Sequence, residues 1–301
     1  MRVGEFEITE PIPKLRKPHV IASLRPWVDA GSVGTLALSR LERHLKAKDL
    51  ASLAEPGRFF DFTRYRPMVY YADGQRRMTI PNTTVRYAKG EGKFDFLFVH
   101  ILEPHSLAED YIESLSTLFN HLKIERYCRV GGMYDAVPHT RPILVTGTMD
   151  GEDMSYITGV SPSRRPQYQG PTSIINLLSE KLTNQGIENV TLMARLPQYI
   201  QLDEDHTGAA SLLKIIRELY DLPEQLTVSR RGVRQYERVS NEMERNSGVK
   251  ALVQQLESDY DARLESVSLD DDSEDVTELA PSVEQFLREV GGDASSDADS
   301  K

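Results

Sequence analysis

Residues 19–36 read HVIASLRPWVDAGSVGTL, and the fold turns on how this stretch is read. HVIASL (19–24) is a nearly continuous apolar run without alternation, which suits a strand buried on both faces. After the loop RPWVDAGSVG (25–34), apolar residues recur at helical spacing: Val33, Leu36, Ala37, Leu41 and Leu45. A doubly buried strand followed by a one-striped helix is the unit of a sheet with helices packed on its faces. The same alternation continues along the chain. FDFLFVHIL (94–102), RYCRV (126–130), ILVTG (143–147) and VTLMARL (190–196) read as further buried strands. Helical stripes fall at Leu107 to Leu122, Ile174 to Leu182 and Ala209 to Tyr220. The expected class is therefore α/β, with a mostly parallel mixed sheet covered on both faces.

Between Arg58 and Ala88 the texture changes to RFFDF, MVYYADGQRRMTIP and TTVRYA, with Asp73-Gly74 as a hairpin turn signal. The expectation here is an antiparallel extension of the sheet. After Leu222-Pro223 the pattern is helical only, with a break near Asn246 to Gly248. The expected organisation is an α/β domain over 1–222, a helical appendage over 223–265, and an acidic, largely disordered tail over 266–301. Within that tail, Val283, Phe286, Leu287 and Val290 could form an amphipathic turn that docks on something.

The net charge of −10 is unevenly placed. Residues 257–301 carry 15 Asp and Glu against 3 Lys and Arg, about −12, which leaves about +2 for the first 256 residues. Nucleic acid is an unexpected partner for such a chain, since the acidic end repels phosphates. The chain has no apolar run of the roughly 18 residues a membrane helix needs, and MRVGEFEITE has no signal-like pattern, so a cytoplasmic location is expected. The single cysteine, Cys128, cannot form an internal disulfide and reads as a buried strand residue.

Three stretches carry chemistry-bearing residues. In RPWVDAGSVG, Gly31 and Ser32 could present backbone N–H groups to an anion, although the spacing is neither a dinucleotide nor a Walker motif. Asp29 reads either as a general base or as the helix cap, with Ser32 as the rival cap. Trp27, the only tryptophan, reads as a core or interface residue before a stacking platform. The second stretch, GGMYDAVPHTRP (131–142), leaves the carboxyl end of a strand, where ligands gather in open α/β sheets. Its Asp135, His139 and Arg141 either face a substrate or make an ion pair, with Asp29 or Asp135 as the acid. The third, Tyr168-Gln169-Gly170-Pro171-Thr172, opens a helix. No nucleophile elbow, histidine pair at metal spacing or cysteine pair stands out, so neither a metal nor a cofactor is expected. His100 and His105 of HILEPH read as a strand end and loop.

WVDAG (27–31), VPHTRP (137–142) followed by VTGT (145–148), and YQGPTSI (168–174) together resemble the PAC2 family, the proteasome assembly chaperone 2-like proteins, over about residues 15–245. The resemblance implies a three-layer α/β/α fold of the phosphorylase/hydrolase-like kind and homo-oligomers, often trimers. From the three stretches themselves the candidate ligand set is Trp27, Gly31, Ser32, Asp135, Arg141, Tyr168, Gly170 and Thr172. Proteasome-binding members of the wider family end in a hydrophobic-Tyr-any residue motif, whereas this sequence ends DADSK. The expectation is a non-enzymatic oligomeric assembly or scaffold protein that binds itself and a protein partner through the appendage or tail. The alternative is an enzyme or sensor with a nucleoside-phosphorylase-like crevice for an anionic metabolite. There Asp29 and His139 would be the acid-base pair, and Arg141 with the Gly31–Ser32 amides the anion holders.

Overall fold

The run HVIASL is strand β3 (His19–Arg25), and its first six residues are buried. The computed structural model describes residues 1–162, 170–245 and 247–267. In chain order, β3 follows β1 (Arg2–Val3) and β2 (Phe6–Ile8) and leads into α1 (Val33–His44) and β4 (Lys48–Leu53). Next come β5 (Met68–Ala72), β6 (Gln75–Thr79), β7 (Thr84–Ala88), β8 (Phe96–Leu102), α2 (Ala108–Leu122) and β9 (Arg126–Asp135). After these lie β10 (Val145–Met149), β11 (Glu152–Asp153), β12 (Val160–Ser161), α3 (Ile174–Asn184), β13 (Glu188–Pro197) and α4 (His206–Tyr220). The described chain closes with α5 (Arg230–Met243) and α6 (Ser247–Val267).

The large sheet has the order β1-β2-β4-β7-β8-β3-β9-β13-β10-β11, with β12 beside β10. Its centre, β8-β3-β9-β13, is parallel, in keeping with the continuous apolar runs. Outside that centre β7, β4, β2 and β1 pair antiparallel on one side, and β10 and β11 on the other. Helices α2 and α3 cover one face, around Tyr111, Leu115, Leu118, Leu178 and Leu182. Helices α1 and α4 cover the other, around Ala37, Leu41, Leu212 and Ile216. The molecule is thus a three-layer α/β/α sandwich with a mixed, centrally parallel sheet. Cys128 lies buried in β9, where burial pushes its thiol up to about 12.

Part of the 58–88 expectation needs correction. Strand β7 does extend the sheet, pairing antiparallel with β8 from Thr84↔His100 to Ala88↔Phe96. Strands β5 and β6, however, pair only with each other and form a separate two-stranded sheet. Alternation specifies a hairpin, but the choice between sheet edge and free arm depends on which backbone lies alongside. Helix α5 packs against α4. Helix α6 follows a short break and buries Val253, Leu256 and Tyr260. The expected disordered tail lies outside the described residues beyond Val267, and so does Tyr168. No helix among the described residues is long and apolar enough to cross a membrane.

Candidate functional site

The parallel strands β8, β3, β9 and β13 end on one rim, and the three stretches singled out in the sequence meet there in part. The β3–α1 turn is clamped to β9: Gly132 N–H donates to the Val28 carbonyl at 2.9 Å, and Asp29 forms an isolated parallel bridge with Gly132. This explains the Gly131-Gly132 pair. A Cβ on Gly131 would stand 2.1 Å from the Val28 carbonyl oxygen, so the two backbones meet at a distance no side chain tolerates.

Asp29 is buried and caps α1. Its Oδ1 accepts from the Gly34 N–H at 2.7 Å and the Thr35 N–H at 3.3 Å, and its Oδ2 from the Thr35 hydroxyl at 2.6 Å. Burial raises its pKa against the opposing pull of those bonds. Ser32, the rival cap, makes no cap bond; its hydroxyl instead donates to the Asp203 carbonyl at 2.8 Å. Of the two amides proposed to hold an anion, that of Ser32 is engaged, donating to the Asp29 carbonyl at 2.9 Å.

Across the rim, Arg141 makes its ion pair with neither Asp29 nor Asp135. Its Nε and Nη2 donate to Asp261 at 2.9 and 2.7 Å, and its Nη1 to Glu257 Oε1 at 3.0 Å. Both acids belong to α6, so the VPHTRP loop fastens the last described helix to the sandwich. Tyr260 adds a bond from its hydroxyl to the Pro142 carbonyl at 3.0 Å. Asp135 accepts from the Ala136 N–H at 2.8 Å and lies 3.9 Å from Arg195.

His139 is buried, with Nδ1 2.7 Å from the Tyr199 hydroxyl, and burial lowers its pKa against the opposing charge of Glu257. Its Nε2 is buried with no hydrogen bond among the described residues, and the residue lines a cavity of about 200 Å³ with Val253, Gln254 and Glu257. Asp29 and His139 share no hydrogen bond among the described residues. Each is held by different partners.

Trp27 departs from the core reading. It is 52% exposed and forms one wall of an open groove of about 620 Å³ with Phe60, Tyr65, Glu103 and His105. Glu103, just past the end of β8, was missed in the sequence because HILEPH drew attention only to its histidines. Its Oε1 accepts from the Ile174 N–H at 3.2 Å, joining β8 to the start of α3. Its Oε2 is buried with no hydrogen bond among the described residues, and burial raises its pKa. Of the third stretch, Gly170 is exposed and Thr172 accepts a hydrogen bond from Asn176 on α3. Asp205 was also missed, though an Asp just before an apolar helix is a readable cap signal. It accepts from the Thr207 and Gly208 N–H groups at 2.9 and 2.8 Å, and from the Tyr236 hydroxyl at 2.7 Å. At this rim Asp29 and Asp205 are spent on helix caps and Arg141 on an ion pair, while Trp27 and Tyr134 are exposed.

The PAC2 family profile matches residues 23–245. None of the curated proteins compared matches the sequence. Among solved structures, a protein of unknown function from Corynebacterium glutamicum superposes with a TM-score of 0.77 at 22% identity, covering 87% of this chain and 98% of that one. A PAC2 family protein from Streptomyces avermitilis gives 0.68 at 26% identity, with 78% and 99% covered. A proteasome-assembly chaperone homologue from Mycobacterium tuberculosis gives 0.66 at 20% identity, with 79% and 98% covered.

Proposed function

The chain belongs to the PAC2 family, and on that premise we propose that it is a non-enzymatic, chaperone-like assembly or scaffold protein that forms homo-oligomers, trimers in the first instance, and binds a protein partner. One observation carries the reading. At the rim where an α/β sheet usually gathers its ligands, the Asp29 carboxylate and the Arg141 guanidinium are bonded within the fold and His139 Nδ1 meets the Tyr199 hydroxyl, while Trp27 and Tyr134 face solvent. The chaperone name of the Mycobacterium tuberculosis neighbour points the same way.

The exposed arm β5–β6 is the leading partner surface. Met68 and Tyr71 on it are 66% and 74% exposed, beside Val69, Tyr70 and Met78. Both faces of the ribbon therefore expose large apolar or aromatic side chains, Met68 and Tyr70 on one and Val69, Tyr71 and Met78 on the other, a surface suited to an interaction. The competing reading, a sensor or enzyme for an anionic metabolite, draws on the Trp27 groove with its unbonded Glu103 oxygen.

Sedimentation velocity across a concentration series tests the proposal, run beside a thermal-shift screen against nucleosides, nucleotides, phosphate and central metabolites. The scaffold reading expects a species larger than one chain and no metabolite that raises the melting temperature. A monomer at every concentration, stabilised in a dose-dependent way by one metabolite, would overturn it. A ligand at about 100 times its dissociation constant should add about 2.7 kcal/mol, so the screen has the range to decide.

A further inference from the structure

We infer that the acidic C-terminal segment, residues 268–301, docks on the arm β5–β6 of its own chain and occupies the surface that a partner would otherwise take. The inference rests on the reading of the arm as a docking surface. It adds an occupant of stated chemistry.

The arm is unusual in both shape and charge. Its two strands pair only with each other, in the register Met68↔Thr79 to Ala72↔Gln75, and nine of its ten strand residues are exposed. A free two-stranded ribbon is marginal in water, so it needs something to lie against. Arg76 stands opposite Tyr71, and Arg77 opposite Tyr70. Each face thus sets a cation beside an aromatic ring, and residues 64–79 hold four arginines against one aspartate. The fitting occupant carries carboxylates interleaved with apolar side chains.

Residues 268–301 have that composition. They contain eleven Asp and Glu against two Lys and Arg, with Val283, Phe286, Leu287 and Val290 at the spacing of one helical stripe. Opposite net charges raise the encounter rate, and the apolar stripe supplies the area that holds the contact.

Reach and origin agree. Helix α6 is tied to the carboxyl-end rim through Asp261 and Arg141, and it ends six residues later, at Val267. The arm springs from the same rim, because β7, which follows it, begins opposite His100 near the end of β8. The 34 residues beyond Val267 can reach at most about 110 Å, at about 3.3 Å each, so the arm lies within their range. Tethering gives the segment an effective concentration in the millimolar range. Against a local dissociation constant of about 0.1 mM, it would cover the arm about nine-tenths of the time.

Hydrogen exchange of the arm's amides, followed by mass spectrometry on the full chain at low ionic strength, tests this. Peptides covering 68–79 should exchange about tenfold more slowly in the native chain than in a full-length Phe286→Ser, Leu287→Ser variant. An Arg76→Glu, Arg77→Glu variant should lose the same protection, while the body of both variants keeps its native exchange pattern. Equal exchange of the arm in the native chain and the tail variant overturns the inference. So does protection that rises with protein concentration and ignores the tail substitutions, because the occupant is then a second copy. Sedimentation on the same samples separates the two proposals. A monomer with tail-dependent protection keeps this inference and sinks the oligomer.

Discussion

Replacing Asp29 by alanine separates a structural carboxylate from a catalytic one. The substitution removes three hydrogen bonds, at 2.7, 3.3 and 2.6 Å, and leaves the buried Gly34 N–H without its acceptor. Loss of an N-cap costs about 0.5–2 kcal/mol, and an orphaned buried donor about 1–3 kcal/mol. The two descriptions overlap, and release of a buried carboxylate offsets part of the loss, so the expected cost is about 2–3 kcal/mol. For a chain of this size that lowers the melting temperature by about 3–5 °C.

Asp29→Asn keeps an acceptor for both amides and offers its NH₂ to the Thr35 hydroxyl, so it should cost about 1 kcal/mol or less near pH 7. The pH dependence has a definite sign. Burial holds the folded pKa above the unfolded value of 3.8, so the neutral carboxyl contributes stability that is fully present below that value and is lost as pH rises through the folded pKa. Asparagine lacks this contribution, and its deficit should therefore be larger near pH 4 than near pH 7. Thermal unfolding by circular dichroism at the two pH values reads all of this. An alanine variant that melts within about 1 °C of the native protein would refute the capping account.

Other perturbations have equally definite outcomes. Arg141→Ala removes the bonds to Asp261 and Glu257, and amides of α6 should exchange several-fold faster while those of β3 and β9 stay unchanged; uniform loosening would contradict the strap. Gly131→Ala forces a Cβ to within 2.1 Å of the Val28 carbonyl oxygen, so a loss of about 3 kcal/mol or more, with poor soluble yield, is expected. A variant that melts like the native protein would show that the two backbones are not in contact. His19 is buried against Phe94, with its folded pKa pushed down to about 4 by burial and the nearby Arg126 and Lys17. A depressed folded pKa contributes stability that is present above the unfolded value and lost as pH falls, so acid destabilisation should develop between about pH 6.5 and 4. His19→Gln should flatten that limb, and an unchanged acid limb would remove His19 as its source.

The amino-acid sequence by itself determined the sandwich. The run at 19–24 is apolar without alternation, and those at 94–102, 126–130 and 190–196 carry only one or two charged residues each, a composition that suits a sheet covered on both sides. The helical stripes then had to lie against that sheet. The Asp29 cap was readable as one of two alternatives, because capping is a local matter of a carboxylate within reach of its own helix start. The partner of Arg141 was not readable. Its acids lie more than a hundred residues away on α6, and a charge has no sequence signal that selects among distant opposite charges. Nor did anything local distinguish Trp27 in a groove from Trp27 in the core, or β5–β6 as a free arm from β5–β6 as a sheet edge. Period and composition describe what a segment can bury, and they fix the strands and helices. Which surfaces remain uncovered depends on how many segments compete for the same faces, and only the tertiary structure decides that.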